Sequence, residues 1–144
     1  MSYANYSSMT IRASVITAGT SGQDAAVKLP DSVTSFWVVV DKTAEAAADN
    51  LFTVRLQAKV GAVWFDLGWD SMQTTGALAT AADTATTVVR TTNIVFEYTL
   101  AATGTWLAHY AEVPSRDIRT AWVTSGTGPA ITFSASALYP LNKF

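Results

Sequence analysis

The stretch 51–69, LFTVRLQAKVGAVWFDLGW, constrains this chain more than any other, because it holds two alternating runs joined by one short turn. On the first arm Phe52, Val54, Leu56, Ala58 and Val60 share one face, and Thr53, Arg55, Gln57 and Lys59 share the other. That is the period-two signature of a half-buried strand. On the second arm Val63, Phe65, Leu67 and Trp69 repeat the apolar face with Trp64, Asp66 and Gly68 opposite, and Gly61 and Ala62 supply the bend. The register of this hairpin is well specified. A slip of one residue sends Arg55 and Lys59 into the core and Phe52, Val54 and Leu56 into water.

The other segments offer strands to cover that apolar face. Residues 10–18 alternate, with Ile11, Ala13 and Val15 on one side and Arg12 and Ser14 on the other, and the Gly/Ser/Asp cluster at 19–24 reads as a turn. A short extended piece at 25–29 runs into Pro30 and Asp31. Residues 35–40, SFWVVV, are apolar on both faces, which fits either a central strand covered on both sides or a subunit interface that hides Trp37 and Val39. Alanine and Glu45 behind Thr43 predict a helical turn or two over 43–50. Residues 72–87 read as a long Thr/Ala/Gly-rich surface loop. Strands follow at 94–100, with Ile94, Phe96, Tyr98 and Leu100 inward, and at 106–113 as its partner. The last two, 118–124 and 130–137, read as a second hairpin across Gly126, Gly128 and Pro129.

Many short strands, punctuated by turns and almost without helix, predict an all-β, antiparallel β-sandwich. A jelly-roll-like arrangement is the first choice because it covers both sheets and accommodates long connections, with an immunoglobulin-like sandwich as its competitor. The expected organisation is an N-terminal arm over 1–9, one sandwich domain over 10–137, and a C-terminal tail over 138–144.

At 144 residues the chain has enough surface to bury for one stable core. It has no cysteine, so disulfides, thiolate catalysis and cysteine-based metal sites are excluded. Net charge is −2 without basic clusters, which argues against a nucleic-acid partner. Charged residues make up only 14% of the chain, and so sparse a charge predicts that a partner covers part of the surface. No apolar run approaches the ~18 residues of a membrane-spanning helix. The opening MSYANYSSMTIRAS lacks both a basic region and an apolar region, so it is not read as a secretory signal, and synthesis in a cytoplasm is expected.

Chemistry is hard to place on this sequence. The single histidine, His109, sits in a strand and reads as a hydrogen-bonded structural residue. No Gly-x-Ser-x-Gly elbow exists for a nucleophile, and no Gly-rich loop opens a helix to hold phosphate. Asp66 with Asp70, or Glu97 with Glu112, are the carboxylate pairs available for glycoside hydrolysis, but both read as solvated strand residues. The expectation is a protein with no catalytic residues, no metal and no cofactor. The five tryptophans remain. One reading puts Trp69 in the core and Trp37, Trp64 and Trp106 at sheet edges or subunit contacts; the other lines up exposed rings to stack on sugars, as in a carbohydrate-binding module or adhesin. Trp122 lies in the strand at 118–124. Tyr3 and Tyr6 in the arm, and Tyr139, Leu141 and Phe144 in the tail, add aromatic and apolar groups suited to docking.

Leu56-Gln57 followed by Trp64-Phe65-Asp66-Leu67, and then Ile118-Arg119 through Ser125, Gly126 and Pro129 to Ile131-Thr132-Phe133, resembles a pattern in small virion proteins of tailed bacteriophages. There an LQ…W.DL hairpin precedes a terminal IR…SG…P.ITF hairpin, and the resemblance spans residues 36–137. Val63 stands where that pattern has a polar turn residue. The resemblance implies a capsid decoration or cementing protein, or less commonly a head-fibre, neck or tail component. It implies a homotrimer on the outer capsid surface, at three-fold or quasi-three-fold positions and bound to the major capsid protein. Trp37 and Val39 would be covered by neighbours, and the arms would bridge capsomers.

Overall fold

The computed structural model describes residues 6–45, 51–76, 95–98, 104–111, 113–125 and 130–140. They form eleven strands: β1 (Tyr6–Ile16), β2 (Ser21–Gln23), β3 (Val27–Lys28), β4 (Phe36–Glu45), β5 (Leu51–Val60), β6 (Val63–Asp66), β7 (Ser71–Gly76), β8 (Val95–Tyr98), β9 (Gly104–Tyr110), β10 (Asp117–Ser125) and β11 (Ile131–Pro140). All pairings are antiparallel. A five-stranded sheet has the order β1-β11-β4-β9-β7. In the six-stranded sheet β10 and β5 are central, β2 and β3 both pair with the outer side of β10, and β6 and β8 both pair with the outer side of β5. The chain changes sheet at nearly every connection, and the first and last strands lie side by side. This is the strand order of a jelly roll, with β7 added at one edge.

The 51–69 pattern folds as a hairpin, with Val60 opposite Val63 and Gly61 at φ +64°, a left-handed conformation that suits a residue without Cβ. Phe52, Val54, Leu56 and Ala58 are buried as their parity requires. The second arm departs from expectation. Val63 and Phe65 do share the side of Ala58, but β6 is an outermost strand, and both side chains stay about half exposed with Val60 beside them. Leu67 and Trp69, past the end of β6, return to the core.

The core lies between the two sheets. Phe52 of the six-stranded sheet meets Phe133 at 4.8 Å and Trp106 at 6.3 Å across it, while Phe36 stacks on Tyr110 at 5.5 Å. Burying such rings side by side adds specific aromatic attraction to the area removed from water. β4 is the middle strand of its sheet, so Phe36, Val38 and Val40 are fully buried and Trp37 and Val39 face outward, half-buried.

Several expectations are corrected. Arg12 does not oppose Ile11; register shifts on both sides of it in β1 turn it inward, and both residues are buried. Its guanidinium lies 4.1 Å above the Phe133 ring, donates to the Phe133 and Val15 carbonyls, and pairs with Asp24. Residues 21–23 are strand β2 instead of turn, leaving Gly19 at φ +79° to make the bend. Residues 43–45 extend β4 instead of starting a helix, because Ala44 and Glu45 pair with Thr132 and Ile131; residues 46–50 lie outside the described residues. Residues 72–76, read as the start of a loop, belong to strand β7 against β9, and 77–87 lie outside the described residues. Neither the pair 94–100 with 106–113 nor the pair 118–124 with 130–137 is a hairpin. β8 pairs with β5 and β10 with β5, whereas β9 and β11 belong to the opposite sheet, so consecutive strands here contribute to the two sheets that close on one core.

Residues 6–9 belong to β1, paired with residues 137–140 of β11, so both ends of the domain extend into the former arm and tail. Tyr3, Leu141 and Phe144 lie outside the described residues.

Candidate functional site

The register of the five-stranded sheet builds its outer face row by row. Leu138, Trp37 and His109 stand side by side across β11, β4 and β9; Ser136, Val39 and Leu107 form the next row, and Ser134, Asp41 and Thr105 the third. On the β1 side, Ser8 and Thr10 continue the first two rows. These side chains of β11, β4 and β9 are half-buried, and the face is a mosaic of large apolar groups and hydroxyls. Its described charges are carboxylates. Asp41 accepts a hydrogen bond from Thr105 Oγ1 at 3.2 Å. Asp70 is set against the end of the first row by buried Trp69 just before it and by its own N–H, which donates to the His109 carbonyl at 2.9 Å.

His109 is indeed hydrogen-bonded, with Nδ1 2.7 Å from Asp70 Oδ1, and its ring lies 4.8 Å from that of Trp37. The Asp70 contact fixes which ring nitrogen faces the carboxylate and leaves Nε2 turned away from it. Trp37, His109 and Asp70 thus make one continuous cluster. The sequence alone did not bring them together, since His109 is 72 positions from Trp37, which β4–β9 pairing sets beside it, and 39 from Asp70, just before β7.

The outer face of the six-stranded sheet is of another kind. Arg119 lies 4.1 Å above the Trp64 ring and donates from Nε to Gln57 Oε1 at 2.8 Å; Gln57 Nε2 donates to Asp66 Oδ1 at 2.9 Å, and Arg55 pairs with Asp66 at 3.5 Å. Lys59 is exposed beside them, and Lys28 pairs with Asp117 at 3.3 Å. The described polar groups here largely satisfy one another, an arrangement suited to contact with water.

The residues expected at interfaces therefore separate. Trp37 and Val39 lie on the outer face of the five-stranded sheet, and Trp64 lies on the opposite side of the molecule under Arg119. Trp106 is 1% exposed and belongs to the core: it shares the inner parity of Ala108 and Tyr110, and Leu107 takes the outward position instead. Tyr6 is exposed at the start of β1, opposite Pro140, whereas Tyr139 packs partly against the core. Leu107 and Leu138 were missed; the signal was their parity with His109 and Ser136.

The carboxylate pairs do not form a site. Asp66 is engaged on one outer face and Asp70 on the other, so they cannot flank one substrate. Glu112 lies outside the described residues, and only the backbone of Glu97 is described. No group of three or more His, Asp or Glu side chains suited to a metal occurs among the described residues. A recess at one end of the sandwich is lined by Thr34, Ala111, Val113, Pro114 and Arg116, but its one cation already donates to the Pro30 carbonyl at 2.8 Å and to the Val33 carbonyl.

Compared with family models, with curated proteins and with solved structures, the chain matches none.

Proposed function

We propose that this protein is a non-enzymatic structural protein of a bacteriophage virion, a capsid decoration or cementing protein that assembles as a homotrimer and stabilises the shell by binding the major capsid protein. The observation that carries the reading is the outer face of the five-stranded sheet. Trp37, Val39, Leu107 and Leu138 stand there among serine and threonine side chains with few charges, on strands whose other face already fills the core. Large apolar groups gathered on one outer face mark a contact surface more often than a solvated one. Jelly rolls serve in viral capsids and in lectins alike, so the assignment rests on this face and on the sequence resemblance, not on the fold.

Light scattering at low micromolar concentration, repeated at high salt, tests the first step. The expected result is a salt-resistant trimer that also binds and thermally protects expanded phage shells, with Trp37→Ala shifting the mass toward monomer. A wild-type monomer that neither oligomerises nor binds shells refutes the reading.

The cluster of Trp37, His109 and Asp70 favours a second reading, a carbohydrate-binding module. An aromatic ring beside a carboxylate and an imidazole offers a stacking surface and hydrogen-bonding groups to a sugar. A monomer that binds glycans and loses them on Trp37→Ala selects this alternative.

A further inference from the structure

The outer face of the six-stranded sheet holds a cation that its neighbours position without neutralising. Arg119 lies 4.1 Å above the Trp64 ring, and its Nε donates to Gln57 Oε1, whose own Nε2 is tied to Asp66. Ring and amide together hold the guanidinium in place. Its two terminal nitrogens, by contrast, have no hydrogen-bond or ion-pair partner among the described residues. Lys59, directly paired with Trp64 across β5 and β6 and so on the same face, is exposed and likewise unpaired among the described residues. The carboxylates described on this face are already engaged, Asp66 by Gln57 and Arg55, and Asp117 by Lys28. We propose that Arg119, with Lys59 beside it, is a docking site for an aspartate or glutamate side chain on an acidic surface of a partner protein. The inference does not depend on what covers the five-stranded sheet.

The chemistry of the cluster selects this ligand. A guanidinium packed on an indole and held at Nε, with its terminal fork free, is pre-organised for a planar oxyanion that accepts two parallel N–H donors, so little side-chain entropy is lost on binding. A carboxylate has that shape, and the ammonium of Lys59 supplies a second positive charge beside it. Nucleic acid does not fit. Its phosphates demand a run of free cations, whereas this face offers two, in a chain of net charge −2. A saccharide is recognised largely by stacking on a bare aromatic face, and here Arg119 covers the Trp64 ring. A carboxylate on a protein surface needs only the fork and the neighbouring charge, and the open face of a sheet admits a second protein without a pocket.

The test is calorimetric titration of the full chain with a short poly-L-glutamate and with an oligogalacturonate of equal length, using variants first matched to the wild type in thermal unfolding. Polyglutamate is expected to bind, more weakly as salt rises. Arg119→Lys keeps the charge but loses the fork, and should weaken binding at least about fivefold. Lys59→Gln should weaken it too, whereas Lys28→Gln, which removes the same charge from a cation already paired with Asp117, should leave it within about twofold. Trp64→Leu should weaken binding alone and add nothing in the Arg119→Lys background, because the ring acts only through the guanidinium. Sedimentation equilibrium should give Arg119→Lys the mass of the wild type. No binding of polyglutamate, or equal losses for Arg119→Lys and Lys28→Gln, overturns the site. Oligogalacturonate bound as tightly as polyglutamate overturns the protein ligand in favour of an acidic glycan. An oligomer that Arg119→Lys dissociates makes a second copy the source of the carboxylate and overturns the separate partner.

Discussion

Removing Arg12 is expected to cost far more than removing any cation on the outer faces. Its side chain is 5% exposed and reaches from β1, in the five-stranded sheet, to Asp24 just beyond β2 in the other, where the carboxylate is 18% exposed. Asp24 also accepts from Thr120 Oγ1, and its N–H donates to the Thr120 carbonyl at 2.9 Å, so the pair ties both sheets together. Deleting one member of a buried pair typically costs ~3–5 kcal/mol. Asp24 keeps its threonine bond and some water, which places Arg12→Ala near the lower end, about 3 kcal/mol, or a fall in Tm of ~6–12 °C for a domain of this size. By contrast Lys28→Ala, which removes an exposed pair with Asp117, should cost ~0–1 kcal/mol. Urea unfolding at neutral pH, at low and high salt, measures both. Arg12→Met/Asp24→Leu should recover most of the loss, since apolar groups of similar size replace a buried pair at little cost. A loss under ~1 kcal/mol for Arg12→Ala, or a double variant no better than the sum of the single ones, refutes this account.

Two further predictions follow from the core. A Cβ on Gly22 meets Trp122 Cζ2 at 2.7 Å, because the two residues are directly paired and the buried indole lies against the glycine. Gly22→Ala should therefore lower stability by ~1–3 kcal/mol in thermal unfolding, and Trp122→Phe in the same chain should relieve part of that loss. Burial pushes the Tyr110 phenol well above its ordinary value of about 10, so the unfolded chain releases this proton at a pH where the folded one retains it. Its contribution is complete below pH ~10 and declines above it by up to ~1.4 kcal/mol per pH unit. Tyr110→Phe should remove that part of the alkaline slope in pH-dependent urea unfolding, without loss at neutral pH, because the hydroxyl has no hydrogen-bond partner among the described residues.

The sequence by itself determined what alternation can determine. The buried faces of β5 and β11 follow residue by residue from Phe52, Val54, Leu56 and Ala58, and from Ile131, Phe133 and Ala135. Side chains on a strand point alternately to its two faces, so this information is local, and with the turn signals it is enough for an antiparallel sandwich. It weakens where both parities are apolar. In GTWLAHY either Trp106 or Leu107 satisfies the pattern, and packing against Phe52 decides for Trp106.

Only the tertiary structure decided which strands meet. Turn-forming residue types such as Gly104, or Gly126, Gly128 and Pro129, are compatible with joining neighbours in one sheet or strands in two, and local sequence does not distinguish the cases. Closure of two apolar faces on each other separates β8 from β9 and β10 from β11. The inward turn of Arg12 depends on register shifts, and the contact of Trp37, His109 and Asp70 depends on pairing across three segments. The exposure of Val63 and Phe65 has the same origin: alternation assigns a side chain to a face, but only the extent of the opposing sheet determines whether that face is covered.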